Sequence, residues 1–107
     1  MKLGVMTAAF PDMSLEEVAT WAVDSGFEML EPCCWPAGEG KDRKYGGVVH
    51  IDVDGLTPQR ASEINGMLEE KGLEISSLGY YPNPLHPDLE HRQHVIAHLK
   101  KVIVGAE

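Results

Sequence analysis

Apolar positions along this chain recur with two periods, and the places where the period changes divide it into six segments. Residues 2–8 form a short apolar run rich in Leu, Val and Met, which predicts a buried strand. Ser14 followed by Glu17 forms a capping box, with the hydroxyl on one free N–H and the carboxylate reaching back to another. A helix over 14–25 follows, because Leu15, Val18, Ala19 and Ala22 fall at i, i+3, i+4 and i+7 and Gly26 sits where a glycine ends such a helix. A second strand is expected at 27–32. Thr57 and Pro58 supply an N-cap and a first-turn proline for a helix over 58–71, with Ala61, Ile64 and Leu68 on one face and Gly72 at its end. Residues 73–80 read as a third strand. Asp88 can cap a helix over 88–105, for which Leu89, Ile96, Leu99 and Ile103 are the expected core face.

The order is therefore βαβαβα, and it contains an internal echo. Asp24-Ser25-Gly26-Phe27-Glu28-Met29-Leu30 matches Glu70-Lys71-Gly72-Leu73-Glu74-Ile75-Ser76 in pattern, 46 residues later. Strands alternating with helices of this length imply an α/β fold with a parallel sheet and right-handed crossovers, either an open doubly wound sheet or part of a barrel.

The one long connection, 33–56, contains Pro36, Gly38, Gly40, Gly46 and Gly47, a charged patch at 41–44, and a weakly alternating piece at 48–54. Its length suggests a functional or covering loop. No Lys-Ser or Lys-Thr follows the paired glycines, so they make no phosphate loop. Asp52 and Asp54 lack the later glutamate of a calcium loop and read as a solvated turn. The few side chains the glycine-rich part can bury make it a weak cover for an open sheet.

Composition narrows the function classes. Seventeen acidic against nine basic residues give a formal charge of −8, which repels phosphate backbones and argues against nucleic-acid binding. No apolar run approaches the ~18 residues needed to cross a bilayer, and the opening lacks a signal peptide's apolar stretch. The chain reads as soluble and cytoplasmic. Its 107 residues make one domain at most. The only cysteines, Cys33 and Cys34, are adjacent, which points to two small buried residues rather than a disulfide framework or zinc knuckle.

Candidate chemistry collects where strand-like runs end. In the 79–88 turn, Pro82, Pro84 and Pro87 stiffen the backbone around Tyr81, Asn83 and His86. His50 and His86 lie in loops that would share one end of a parallel sheet, whereas His91, His94 and His98 are expected on a solvated flank of the last helix. Trp35, Tyr80, Asn83, His50 and His86 together offer hydrogen-bonding groups and aromatic faces to a ligand. Glu31 is the one carboxylate at a predicted strand end. It is the candidate acid or base, or equally a buried glutamate hydrogen-bonded to neighbouring loops.

Gly26-Phe27-Glu28-Met29-Leu30-Glu31-Pro32, His50-Ile51-Asp52-Val53-Asp54 and Tyr81-Pro82-Asn83-Pro84-Leu85-His86-Pro87-Asp88, in this order and spacing, resemble the amino-terminal part of the sugar phosphate isomerase/epimerase family. That resemblance implies a xylose-isomerase-like TIM barrel, with residues 1–107 as a single partial domain of three βα units. It implies an active site at the carboxyl ends of the strands, lined on one side by Thr7, Phe10, Glu31, Trp35, His50, Tyr80, Asn83 and His86. It further implies a sugar or sugar phosphate substrate, and a divalent metal ion whose ligands come mostly from later strands. On this reading the chain contributes pocket residues without the full catalytic set. The alternative is a non-catalytic βα-repeat module that associates through its open sheet, since a parallel sheet normally has both faces covered.

Overall fold

A computed structural model describes residues 1–42 and 44–107; Arg43, in the charged patch, lies outside the described residues. The six expected elements are present in the expected order: β1 (Gly4–Met6), α1 (Leu15–Asp24), β2 (Met29–Glu31), α2 (Pro58–Glu70), β3 (Glu74–Ile75) and α3 (Leu89–Ala106), with a short 3-10 turn, Thr7–Ala9, after β1. The strands are shorter than the apolar runs that predict them. They form one parallel sheet in the order β1-β2-β3, in register Gly4↔Met29↔Glu74, so β1 lies at an edge rather than between the others. The sheet is open.

Local chemistry accounts for the helix ends. Ser14 and Glu17 form the reciprocal capping box, Thr57 accepts from the Arg60 N–H, and Asp88 accepts from the His91 N–H. α1 and α2 stop in the same way. Phe27 N–H bonds the Ala22 carbonyl and Gly26 N–H that of Val23; Leu73 N–H bonds Leu68 and Gly72 N–H Glu69. Both are Schellman motifs, and both need the left-handed backbone that Gly26 and Gly72 adopt, at φ 86° and 73°. The 46-residue echo is thus a repeated helix-stop-strand unit.

Alternation along the strands separates the two faces of the sheet. Val5, Leu30 and Ile75 join one hydrophobic cluster with Leu15, Val18, Ala19 and Ala22 of α1, Ile64 and Leu68 of α2, and Val95 and Val102 of α3. On the opposite face Gly4, Met6 and Glu74 are exposed, Met29 and Glu31 are half-buried, and Lys2 pairs with Glu74 near the amino-terminal end.

Three expectations need correction. The buried face of α3 is Val95, His98 and Val102, while Leu89 and Ile103 are more than half exposed. His98, expected on a solvated flank, is 4% exposed and donates from Nε2 to the Cys34 carbonyl at 2.7 Å. A hydrogen bond of this kind is what allows an imidazole to sit in a core. His91 and His94 are exposed as expected, and His94 bonds Glu39 of the long loop at 2.8 Å.

The third correction concerns the 33–56 loop, which does bury side chains. It folds back so that Val49 bridges Cys34 antiparallel and the Cys33 carbonyl accepts from the N–H groups of His50 and Ile51. Trp35, Val48 and Ile51 enter the core. Gly40 makes this fold-back possible: it has φ 72°, and a Cβ there would lie 2.6 Å from Trp35 Cζ3. The loop packs among the helices, and the part of the other face that stays exposed is its amino-terminal half, at Gly4, Met6 and Glu74.

At its carboxyl end the sheet carries an irregularity that positions the candidate residues. β3 donates from Glu74 to the Glu28 carbonyl and from Ser76 to Leu30, but the next bond comes from Gly79, not residue 78, to Pro32. One extra residue is therefore inserted between Ser76 and Gly79, a bulge that reverses the alternation beyond it. No helix of the described residues is long and apolar enough to cross a membrane.

Candidate functional site

The eight candidate residues fall into three groups rather than one pocket. The first lies at the carboxyl end of the sheet, where Thr7, Cys33 and Gly79 are all buried. Thr7, fully buried in the turn after β1, accepts at Oγ1 from the Cys33 N–H at 2.9 Å, tying the end of β1 to the end of β2. Glu31, the last residue of β2, alternates with Leu30 and so lies on the face away from the helices. Its Oε1 is enclosed with no hydrogen-bond partner, although the residue as a whole is only half-buried. Gly79 completes the group: a Cβ built on it would lie 3.4 Å from Glu31 Oε1, 3.4 Å from Tyr81 Cε2 and 3.5 Å from Cys33 Sγ.

The second group lies on the helix side. Tyr80 is 8% exposed and packs edge-on against Trp35 at 5.5 Å and against His98 of α3 at 4.6 Å between ring centroids. Burial pushes its phenol above the ordinary range, and the Glu39 carboxylate adds to the effect. Tyr80 and Glu31 therefore point to opposite faces. The bulge is the reason, since an unbroken period of two counted from Glu74 would have put Tyr80 on the side of Glu31.

The remaining candidates serve local structure. Asn83 is exposed, and its Oδ1 accepts from the Leu85 N–H. His86 Nδ1 accepts from the Asp88 N–H, and its ring lies 4.4 Å from that of His91. These are turn and cap interactions. Phe10 packs on Trp21 of α1 at 4.6 Å. His50 donates from Nε2 to the Met13 carbonyl at 2.7 Å, and its Nδ1 is enclosed without a partner. It lines two grooves beside α2, each about 400 Å³, remote from Glu31. Neither groove is lined by Thr7, Glu31, Trp35, Tyr80, Asn83 or His86.

Two residues gain importance that sequence reasoning did not give them. Cys33 lies among Thr7, Glu31 and Gly79, and Tyr81 places its ring beside Gly79 while staying 60% exposed. Tyr81 follows Tyr80 directly, and the inserted residue after Ser76 decides which of the two shares a face with Glu31. The Cys33 thiol is held above its ordinary pKa by burial, against the hydrogen bonds of Thr7 and Ala8 and with a further push from the Glu31 charge. Burial also takes the Cys34 thiol to about 12. Neither sulfur is set up as a thiolate nucleophile.

What the group around Glu31 offers chemically is one carboxylate beside the Thr7 hydroxyl and the Cys33 thiol. Among the described residues no group of three or more His, Cys, Asp or Glu is placed to hold a metal ion. The donor set of this chain therefore does not by itself fit the divalent ion that the resemblance implies. Compared with known proteins, the chain matches no family model and no curated protein sequence.

Proposed function

We propose that this chain is the amino-terminal, substrate-facing part of a xylose-isomerase-like TIM barrel, acting as a metal-dependent sugar or sugar phosphate isomerase/epimerase. The observation that carries this reading is Glu31: a carboxylate at the carboxyl end of a parallel strand, on the face away from the helices, with one oxygen enclosed and unpartnered. In parallel α/β folds ligands meet the sheet at that end. The sequential order β1-β2-β3, with the buried faces of all three helices in one cluster, is in keeping with a barrel progression. The metal ligands on this reading come from other strands, and what this chain brings is a proton acceptor. Glu31 would take a proton from the carbon beside a sugar carbonyl, leaving an enediolate, and return it on the same face to the neighbouring carbon while the hydroxyl proton passes to the former carbonyl oxygen; epimerisation would instead need a second acid on the other side of the enediolate plane.

Solvent exchange tests this. Ketoses and their phosphates, incubated in D2O with Mn2+ and the protein including whatever its reading frame encodes beyond Glu107, should gain deuterium at the carbon next to the carbonyl. Glu31→Gln should slow that exchange by roughly 10²-fold or more. Absence of deuterium from pentuloses, hexuloses and their phosphates alike would refute the proposal.

A second reading, a non-catalytic module that associates through its sheet, is favoured by the exposed Gly4, Met6 and Glu74 and by the unpaired outer edges of β1 and β3. The same protein failing to exchange while forming stable dimers would select it.

A further inference from the structure

The two outer edges of the sheet differ, and they complement each other. Glu74 and Ser76 give their N–H groups to Glu28 and Leu30 of β2, so by strand alternation the backbone of Ile75 and the carbonyl of Leu73 face outward. At the other edge the Leu3 carbonyl accepts from Glu28 and Met29, so the backbone of Gly4 and the N–H of Met6 face outward. Beside the β3 edge, on the helix side, lies a hollow of about 400 Å³ whose apolar wall is Ile51, Leu56, Ala61, Ile64, Ile75 and Leu78. The same side of β1 carries Val5 and, two residues earlier, Leu3, which is 60% exposed. Charge differs in the same sense: exposed Glu74 marks the β3 edge and Lys2 the β1 edge.

We propose that β3 of one copy takes β1 of a second copy as its next parallel strand, so that the 107-residue chain assembles head to tail. In the register that continues the sheet, Gly4 and Val5 of the second copy stand opposite Glu74 and Ile75, as they stand opposite Met29 and Leu30 within one copy. The second copy's Gly4 N–H then donates to the Leu73 carbonyl, the Ile75 N–H to its Gly4 carbonyl, and its Met6 N–H to the Ile75 carbonyl, which is the ladder of a parallel pair. Its Val5 extends the apolar row Val5-Leu30-Ile75 along the wall of the hollow, and its Leu3 meets Leu73. Within one copy Lys2 already reaches Glu74 across the width of β2; Lys2 of the second copy stands only one strand from it, about 4.8 Å. Joining two β3 edges or two β1 edges would instead bring like charges together. The contact is heterologous, so copies add in a row until the row closes on itself. This gives the sheet association of the second reading a partner and a direction, and it does not rest on the isomerase reading.

Blocking one edge at a time tests this. Met6 has φ −82°, which proline adopts, so Met6→Pro removes the outward N–H of β1 while leaving its pairing with β2. Ser77→Pro sets a ring on β3 just beyond Ile75. Sedimentation velocity on the 107-residue chain, up to about 0.5 mM, should show wild type associating. Each proline variant alone should sediment as a monomer of 11.8 kDa. Their equimolar mixture should form a one-to-one pair and grow no further, because the free β3 edge of one meets the free β1 edge of the other. If Ser77→Pro loses its helical circular dichroism, Ala61→Glu takes its place by setting a carboxylate in the hollow from the first turn of α2; if Met6→Pro does, Leu3→Asp replaces it. Association of a blocked variant by itself means that like edges join, which overturns the head-to-tail contact and leaves the second reading standing. A mixture that stays monomeric also overturns the contact. A wild type that is monomeric at every concentration overturns both the contact and the second reading, and the exchange assay alone judges the isomerase reading.

Discussion

Replacing Thr7 with Val should separate hydrogen bonding from packing at the point where β1 and β2 are joined. Thr7 is fully buried, Cys33 is 1% exposed, and the Cys33 N–H reaches Thr7 Oγ1 at 2.9 Å. Valine keeps the shape and removes the acceptor. The Cys33 amide is then left enclosed without a partner, a loss worth about 1–3 kcal/mol. Serine keeps the acceptor and removes a methyl group, at a cost of about 1 kcal/mol for the lost burial. For a chain of this size, with a urea m-value of ~1.2 kcal/mol/M, Thr7→Val should lower the unfolding midpoint by about 0.8–2.5 M. Thr7→Ser should lower it by less. The melts belong at one fixed protein concentration, because association would add a concentration-dependent contribution. Amide exchange at Cys33 should also accelerate in Thr7→Val and stay slow in Thr7→Ser. A Thr7→Val midpoint within about 0.3 M of wild type, or above that of Thr7→Ser, would refute the reasoning.

Two further outcomes are expected. The Cys34 thiol, raised by burial from 9.0 to about 12, is protonated in the folded chain where an unfolded chain would ionise it. Its contribution to stability is thus fully present below pH 9.0 and is lost as pH rises towards 12, so alkaline titration should unfold the protein in that window and Cys34→Ala should flatten the dependence. At pH 8 a thiol reagent should leave Cys34 unmodified until denaturant is added; rapid modification of the folded chain would count against its burial. Light scattering on the purified 107-residue chain should give a mass above 11.8 kDa, since the amino-terminal half of one sheet face and two strand edges lack cover. A compact monomer that melts cooperatively would contradict this.

How much of the molecule could be read in advance depended on the range of the interactions involved. Helix ends were legible because their partners lie three to five residues apart: Ser14 with Glu17, Thr57 with Arg60, Gly26 and Gly72 in their turns. The face of α3 was not. That helix carries two apolar stripes, and the core takes the one containing His98 because the Cys34 carbonyl, 64 residues earlier in the chain, is there to accept its proton. Nothing local to α3 announces that partner. The 33–56 loop was misjudged for a related reason. Counting its glycines hid the fact that Gly40 opens room for Trp35, and that Val48 and Ile51 can then bury. At the sheet's carboxyl end, Glu31 could be placed from its position at the close of a strand-like run and Thr7 from the family resemblance, whereas the expected convergence of Tyr80 with Glu31 is undone by the inserted residue after Ser76.

That inserted residue makes the neighbourhood respond to chain length in one direction only. Deleting one residue between Ser76 and Gly79 would restore the regular ladder, with Gly79 in the slot opposite Pro32 that it already fills; Tyr80 would stay beside Trp35 and His98, and Tyr81 beside Gly79. A single codon lost there would thus straighten the strand without exchanging the surroundings of the two tyrosines.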